Sequence, residues 1–357
     1  MKKGILGLTL VLVFGLFLYG CFGGGSGGDS TPTLANKAIM SADKNKIIGA
    51  ETGNSTDLFS LLRRGESGNY TSTDVDGGWA IYALWITGGY NEWVYGNVTV
   101  EGEGCPYNGS VVVGGGPPEQ ISGDISVDVN GTVTLCDEQN NTMSDNGIMS
   151  ADKNMMALVW TEEGGIPYYN YLISVKKGTG YIEDDLDGDW VLHDVWINLD
   201  DSTDNGWGYG HLKITNGDYS GNILGSDGEK DSVSGTISID GNGKVTILDE
   251  DGEAVFGDGD NIMSADKNMI VGVYTEEESY IDFYIFTKRG ESYSSDDLPG
   301  NWVMHGLWVG EDNGWNYGNV TVGGSGNFIY NGVNSEGESE SDTGTTSIES
   351  NGDVNID

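Results

Sequence analysis

A seven-residue string repeated three times constrains this chain more than any other feature. Ile-Met-Ser-Ala-Asp-Lys-Asn starts at Ile39, Ile148 and Ile262, so it recurs after 109 and then 114 residues. Identical strings at near-constant spacing indicate tandem copies of one structural unit. We therefore predict three repeats of about 110 residues, with limits at 37–140, 146–252 and 260–357.

Each repeat has the pattern of short strands joined by turns. The heptapeptide lies between two apolar runs, which predicts a hairpin. Near the end of each repeat, Asn-Gly pairs separate alternating runs and predict type I′ turns, at Asn130-Gly131, Asn242-Gly243 and Asn351-Gly352. About eight strands fit into each copy, and a helical period is missing outside the N-terminal segment. The sequence predicts an all-β protein, and the heptapeptide is interpreted as a hairpin kept for folding.

Tryptophans mark equivalent positions in the three copies. In each copy the first and second Trp are six residues apart, which places both on one face of a strand. A third Trp opens a later strand. The triplets are Trp79, Trp85 and Trp93, then Trp190, Trp196 and Trp207, then Trp302, Trp308 and Trp315. Fixed strand positions favour a core role, and stacking on a ligand is the alternative.

The Gly-x-Trp at the head of a strand, followed by a meander, is similar to the calycin group of lipocalins and avidins. That resemblance implies up-and-down barrels of eight antiparallel strands, with Gly-x-Trp at the closed end and room for a small ligand. The alternative is a single propeller-like ring. Read from Gly-x-Trp, the chain gives two units and a split third, which only pairing of the N-terminal with the C-terminal strands would complete.

The N-terminus has the features of an exported lipoprotein. Lys2 and Lys3 precede an apolar run, and Leu18-Tyr19-Gly20-Cys21 resembles the lipobox of bacterial lipoproteins. The resemblance implies a signal peptide over 1–20, acylation (palmitate among the chains) at Cys21, and a cell-envelope location. Residues 21–36 predict a flexible Gly/Ser tether. Phe22 favours the outer membrane in a host with two membranes, because an Asp there would resemble an inner-membrane retention signal.

The charge balance is strongly acidic, with 56 Asp and Glu against 16 Lys and Arg and a formal net charge of −40. Such a field repels nucleic acid and attracts cations. Acidic clusters in the second repeat suggest hard oxygen ligands for Ca²⁺, with solvated loops as the alternative. The candidate ligands are Asp185, Asp187, Asp189, Asp249, Asp251, Asp258 and Asp260.

The remaining candidates have weak chemical signals. Cys105 and Cys136 lie only in the first repeat and are either a local disulfide or two independent small residues. His193 and His305 correspond to Tyr82, which predicts a structural role. A basic pair and a glycine close one strand of each repeat, which we interpret as protection of a strand end. The pairs are Arg63-Arg64, Lys176-Lys177 and Lys288-Arg289.

We find no nucleophile elbow, phosphate loop or zinc motif in the sequence. These features predict a non-catalytic, lipid-anchored surface protein that binds or interacts in the cell envelope. Its expected partners are the membrane, other envelope proteins, glycans or a small apolar ligand. A small-ligand-binding barrel protein and a secreted hydrolase are the alternatives.

Overall fold

The computed structural model describes residues 37–357 except 53–54, 66–67, 88–90, 103, 163–166, 200–204, 256–260, 277–279 and 311–312. Within these residues the chain forms 24 strands, and its helical elements are short 3-10 turns. The strands close into three antiparallel barrels of eight strands each. The predicted all-β class and the predicted barrels are confirmed. The signal peptide, Cys21 and the tether lie outside the described residues.

The first two barrels are continuous in sequence. Barrel 1 consists of β4 (Gly77–Ile86), β5 (Glu92–Val100), β6 (Pro106–Val113), β7 (Glu119–Val127), β8 (Thr132–Asp137), β9 (Thr142–Met149), β10 (Met155–Glu162) and β11 (Tyr168–Lys176). Barrel 2 consists of β12 (Gly188–Asn198), β13 (Gly206–Thr215), β14 (Asp218–Gly225), β15 (Lys230–Ile239), β16 (Lys244–Asp249), β17 (Asn261–Met263), β18 (Met269–Glu276) and β19 (Tyr280–Lys288).

Barrel 3 joins the two ends of the chain. It consists of β20 (Gly300–Gly310), β21 (Gly314–Val322), β22 (Asn327–Asn334), β23 (Ser339–Ile348) and β24 (Asp353–Ile356) with β1 (Lys37–Met40), β2 (Lys46–Thr52) and β3 (Ser55–Arg63). Strand β1 pairs with β24, Ala38 opposite Val354, and β3 pairs with β20.

The barrels are out of phase with the repeats predicted at 37–140, 146–252 and 260–357. Each barrel starts at its Gly-x-Trp strand and takes its last strands from the next heptapeptide hairpin. The reason is pairing: the strand that ends in the basic pair lies beside the Gly-x-Trp strand, as β11 does beside β4. The split third unit is therefore completed by N-to-C closure, but as a barrel and not as a propeller.

Two kinds of core follow from strand alternation. One face of each strand fills its own barrel, and Trp79, Trp190 and Trp302 are almost fully buried there. The other face of the strands around the heptapeptide and Gly-x-Trp packs against the neighbouring barrels in one shared apolar core. We call the contact between two barrels a seam and name it by its barrels, as in seam 2–3.

The seams repeat cyclically around the molecule. Strand β18 of barrel 2 packs on β4 and β5 of barrel 1, β2 of barrel 3 packs on β12 and β13, and β10 of barrel 1 packs on β20 and β21. The same strands of each unit therefore meet in every seam. The three heptapeptide hairpins consequently converge where the barrels meet.

The Asn-Gly turns differ from the prediction. A type I′ turn needs positive φ at both central residues. Here Gly131 has φ 85° and its N–H donates to Asp128 O, whereas Asn130 is not among the residues with positive φ. The Asp128 carboxylate accepts the N–H groups of Asn130 and Thr132. These contacts fit a longer hairpin loop with glycine at the left-handed position.

Candidate functional site

The heptapeptide forms a tight turn with a fixed set of internal hydrogen bonds. In the first copy, Ser41 N–H donates to Lys46 O at 2.9 Å, and Ser41 Oγ–H donates to the Asp43 carboxylate at 2.5 Å. The next residue, Lys44, has φ 61°, and Lys153 and Lys267 have φ 62° and 61°. In each copy one carboxylate oxygen of the aspartate accepts the serine hydroxyl of its own turn, and the other accepts from Lys46.

The three aspartates of the heptapeptides meet at one point. Asp43, Asp152 and Asp266 each offer a carboxylate oxygen, and these oxygens lie within 4.8 Å of one another. The Lys46 ammonium lies among them, with Nζ at 2.5, 2.6 and 3.0 Å from Asp43, Asp152 and Asp266. An ammonium has three N–H donors. Each donor therefore has one carboxylate from a different repeat. We call these four residues the axial cluster.

Burial and the opposite charges of the axial cluster shift the pKa values of its members. The Lys46 side chain is 0% exposed. Burial opposes its charged form, but attraction by Asp152, Asp266 and Asp43 outweighs burial and raises the pKa of Lys46 above its usual value. Burial likewise opposes ionisation of Asp152, yet Lys46 holds the pKa of that carboxyl below its usual value. Burial and the neighbouring Asp152 raise the pKa of Asp43 despite Lys46.

Lys46 breaks the symmetry of the repeats. The same position, directly after the heptapeptide, is Met155 in the second copy and Met269 in the third, and both are buried. Three oxygen ligands at this spacing suit a hard cation. Here the ammonium of Lys46 fills that place and bonds to all three carboxylates. The cluster thus links the N-terminal strands to both other barrels.

Two other heptapeptide residues have fixed partners: the lysine pairs within its own barrel, and the alanine bonds to a neighbouring barrel. The lysines Lys44, Lys153 and Lys267 pair with Asp297, Asp74 and Asp185 at 2.8, 2.9 and 2.7 Å. The alanines donate their N–H groups to basic-pair carbonyls of a neighbouring barrel: Ala42 to Lys288, Ala151 to Arg63, and Ala265 to Lys176. The interpretation of the heptapeptide as a hairpin kept for folding is therefore incomplete. Its residues also hold the barrels together.

The first residue of each basic pair covers a tryptophan. Arg63, Lys176 and Lys288 lie 4.3, 5.4 and 5.2 Å from the ring centroids of Trp302, Trp79 and Trp190. Each cation closes one end of its barrel, a cation–π arrangement. The Trp Nε1–H groups donate to Leu298 O, Val75 O and Leu186 O. The prediction of strand-end protection missed this contact.

The Trp triplets divide between barrel interiors and seams. Trp85 packs in the same interior cluster as Trp79, as the spacing predicted. Trp196 and Trp308 lie against Gly206 and Gly314, where a Cβ would come within 2.3 Å of the ring. Trp93, Trp207 and Trp315 belong to the shared core between barrels. Trp93 Nε1–H donates to Thr275 of barrel 2, and Trp315 Nε1–H donates to Thr161 of barrel 1.

The barrel interiors contain small apolar cavities. One of about 30 Å³ lies in barrel 3, with Trp302, Phe59 and Phe328 in its wall. Another of about 30 Å³ lies in barrel 2, between Leu192, Tyr219 and Phe286. Sites for drug-sized ligands are typically ~300–1,000 Å³. The protein's own side chains therefore fill most of the interiors of barrels 2 and 3.

The calcium candidates are distributed over separate contacts. Asp185 pairs with Lys267, Asp187 accepts the Asn216 N–H, and Asp189 pairs with Lys213. Asp249 accepts the N–H groups of Asp251 and Glu253 within its own turn. Asp258 and Asp260 lie outside the described residues. Among the described residues, the group of carboxylates close enough for one cation is the axial trio, which the sequence analysis did not select.

Cys105 and Cys136 are unpaired in the structure, which favours two independent small residues over a local disulfide. Cys105 is buried and its thiol donates to Ser72 O at 3.2 Å, whereas Cys136 lies beside Thr142. Cys136 is on β8, paired with Asp124 of β7, and Cys105 precedes β6. Burial raises the pKa of the Cys105 thiol.

Three tyrosines that the sequence analysis passed over complete the junctions. Tyr70, Tyr181 and Tyr293 donate their hydroxyls to the carbonyls of Met149, Met263 and Met40 in the heptapeptides. Each hydroxyl also accepts an N–H from the glycine after a basic pair. Their rings lie over Gly131, Gly243 and Gly352 of the Asn-Gly turns. The sequence pattern that could have revealed these residues is a tyrosine three to five residues after that glycine in every copy.

Within the described residues, no helix combines the length and hydropathy needed to cross a membrane.

Comparisons with known proteins add little. No family model and no curated protein matches the chain. Among solved structures, the chain is similar to a protein of unknown function from the DUF3598 family of Nostoc punctiforme. The two share 12% identity over 76% of this chain and 94% of that one, with a TM-score of 0.21. A similarity this weak carries no argument about fold or function.

Proposed function

We propose that this protein is a lipid-anchored surface protein of the cell envelope whose three-barrel body acts as a non-catalytic binding and interaction module. The observation that carries the proposal is the filled interior of the barrels. Trp79, Trp190 and Trp302 are at most 1% exposed, and the cavities in barrels 2 and 3 are about 30 Å³ each. Recognition of a partner then falls to the outer surface.

The outer surface offers mainly negative charge. Exposed acidic side chains lie on strands and turns of barrels 2 and 3, among them Glu229, Asp231, Glu250, Asp251, Glu336 and Glu338. Charge of one sign over a surface attracts oppositely charged partners from a distance. The partner chemistry that fits is a cationic surface of another envelope component. Binding of this kind weakens as salt screens the charges.

The position of the first strand supports anchoring at the N-terminus. Strand β1 begins at Lys37, directly after the predicted tether, and pairs with both β2 and β24. Lys46 on β2 then joins these strands to Asp152 and Asp266. A pull on the anchor is therefore resisted by a closed barrel and by the axial cluster.

Acylation is the first test. The full-length chain is expressed in a bacterium fed labelled palmitate, beside the variants Cys21→Ala and Cys105→Ala. We expect label and membrane association in the wild type and in Cys105→Ala, and neither in Cys21→Ala. An unlabelled wild type, or label retained in Cys21→Ala, would contradict the anchor.

A second test separates surface binding from the alternative of an apolar ligand inside a barrel. The unacylated Cys21→Ala chain is titrated with a long-chain fatty acid while Trp fluorescence is recorded. We expect no saturable change, because the interior cavities are too small. Saturable quenching would favour the small-ligand function. A hydrolase would instead be indicated by turnover of a glycan or peptide substrate.

A further inference from the structure

Equivalent side chains occupy one position in all three seams. They are Tyr82 in barrel 1, His193 in barrel 2 and His305 in barrel 3, three residues after the first Trp of each triplet. Both histidines are 0% exposed. Each reaches across its seam: His193 Nε2 lies 3.1 Å from Lys37 O of β1, and His305 Nε2 lies 2.8 Å from Asn146 O of β9.

These contacts show which nitrogen of each neutral ring carries the hydrogen. A carbonyl oxygen only accepts, so Nε2 carries the hydrogen and donates it. The other ring nitrogen, Nδ1, is buried without a hydrogen-bond partner in both histidines. A neutral imidazole tolerates this, because its Nδ1 has only a lone pair. A second proton would create a buried N–H and a positive charge with no acceptor.

Seam 2–3 has further titratable groups around His193. On β13, the rings of Tyr209 and His211 lie on the same side, and the Tyr209–His193 centroid distance is 5.2 Å. Tyr209 donates to Asp353 of β24 at 3.0 Å, and Arg289 contacts His211 Nδ1 at 3.2 Å. Lys37 of β1 lies over the Tyr209 ring. The neighbours of His193 on β19 are apolar, such as Ile285.

Seam 3–1 has fewer charges around His305. Its ring lies 5.0 Å from that of Tyr317 on β21. On β3 it is opposite Ser60, which accepts the Tyr171 hydroxyl of β11 at 3.0 Å. Arg64, Asp145 and Asp128 act on Tyr317 from the rim of the seam. No carboxylate among these described groups bonds to the His305 ring.

We propose that seams 2–3 and 3–1 are acid-sensitive latches, in which His193 and His305 hold the barrels together only while their rings are neutral. Seam 1–2, with Tyr82 at the same position, lacks this sensitivity. The latch at His193 acts on Lys37, the first residue of the strand that follows the tether. Acid therefore weakens the contact between the anchor strand and barrel 2.

Protonation of a buried histidine favours opening of its seam, and this sets the direction in which stability changes with pH. Burial lowers the pKa of His193 to about 3 and that of His305 to about 4, despite the bonds to Lys37 O and Asn146 O. An exposed histidine has a pKa of ~6.5. Stability from the neutral rings is present above pH ~6.5 and is lost as pH falls from there toward 4. Each histidine changes the opening equilibrium up to about tenfold per pH unit well below pH 6.5, and about 15-fold in total between pH 6.5 and 5.

The test compares the full-length wild-type chain with two variants in which both histidines are replaced. Urea unfolding and amide exchange, corrected for intrinsic rates, are measured at pH 7.5, 6.5, 5.5 and 5.0. The first is the double variant His193→Tyr/His305→Tyr, which places at both positions the tyrosine found in seam 1–2. The second is the double variant His193→Gln/His305→Gln, which serves if the tyrosines do not fit. We expect the wild type to lose stability below pH 6.5 and both variants to lose much less.

Amide exchange locates the effect. Amides of β1, such as Met40 N–H, and of β20 should exchange faster in acid, while amides at seam 1–2 on β4 and β5 should change less. Equal pH dependence in the wild type and in whichever variant folds would overturn the proposal. Uniform acceleration in all three seams would also overturn it, because the sensitivity would then not lie at the histidines.

Discussion

Replacing Lys46 by Met tests whether the axial cluster holds the barrels together through charge. Methionine fits this position, since Met155 and Met269 occupy it in the other copies. The variant removes an ammonium that lies 2.5–3.0 Å from three carboxylates and leaves those carboxylates partly buried within 4.8 Å of one another. Removing one partner of a buried ion pair typically costs about 3–5 kcal/mol.

The carboxylates can limit this cost by taking up a proton. Protonating an aspartate of ordinary pKa at pH 7 costs about 4 kcal/mol, and at pH 5 about 1.6 kcal/mol. We therefore expect Lys46→Met to lower the free energy of unfolding by about 3–5 kcal/mol at pH 7 and by about 2 kcal/mol at pH 5. In the variant the folded-state pKa values are raised, so the deficit grows as pH rises.

Urea unfolding at both pH values measures this difference, and thermal unfolding should show a melting temperature lower by roughly 4–8 °C at pH 7. Met155→Leu is the packing control and should cost less than about 1.5 kcal/mol. Asp152→Asn tests the direction of the charge effect in the two backgrounds. It should destabilise the wild-type chain but stabilise the Lys46→Met chain, where it relieves repulsion. A pH-independent deficit, or the same sign of Asp152→Asn in both backgrounds, would refute the electrostatic role.

Three further predictions concern other parts of the barrels. Lys288→Met removes a cation from over Trp190 and a 2.8 Å bond to Asp185 O, so denaturant unfolding should show a loss of about 1–2 kcal/mol; an unchanged midpoint would contradict that role. Gly352→Ala should destabilise more than Gly337→Ala in the same assay, because both glycines have positive φ but only a Cβ at Gly352 would meet Tyr293, at 2.7 Å. In a thiol-reagent assay on the native chain, Cys136 should react faster than the buried Cys105, and equal rates would contradict the burial of Cys105.

The strand content was accessible from sequence because it depends on local patterns. Alternating runs, turn residues and equivalent Trp positions recur within about 110 residues, and they predicted barrels of eight strands. The Asn-Gly turns were correctly placed but wrongly typed, since Asp128 and Gly131 form a longer loop. The Asn-Gly pair alone does not distinguish a two-residue type I′ turn from this longer loop, because the choice depends on hydrogen bonds made by the flanking residues.

The axial cluster could not be derived in this way. The repeated aspartate was visible at positions 43, 152 and 266, but nothing local shows that three turns more than 100 residues apart meet at one point. The one readable signal was the exchange of Met155 and Met269 for Lys46, a charged residue at an otherwise apolar position. Its meaning depends on the three carboxylates around it.

The sequence by itself determined three copies of an all-β unit, because repetition and side-chain alternation are properties of the chain. Tertiary structure decided where each barrel begins. Pairing of β1 with β24 and of β3 with β20 shifts the barrels out of phase with the repeats. It also decided that the heptapeptide joins barrels as well as forming a hairpin, because a buried ammonium is stable only where folding brings carboxylates from all three copies to it.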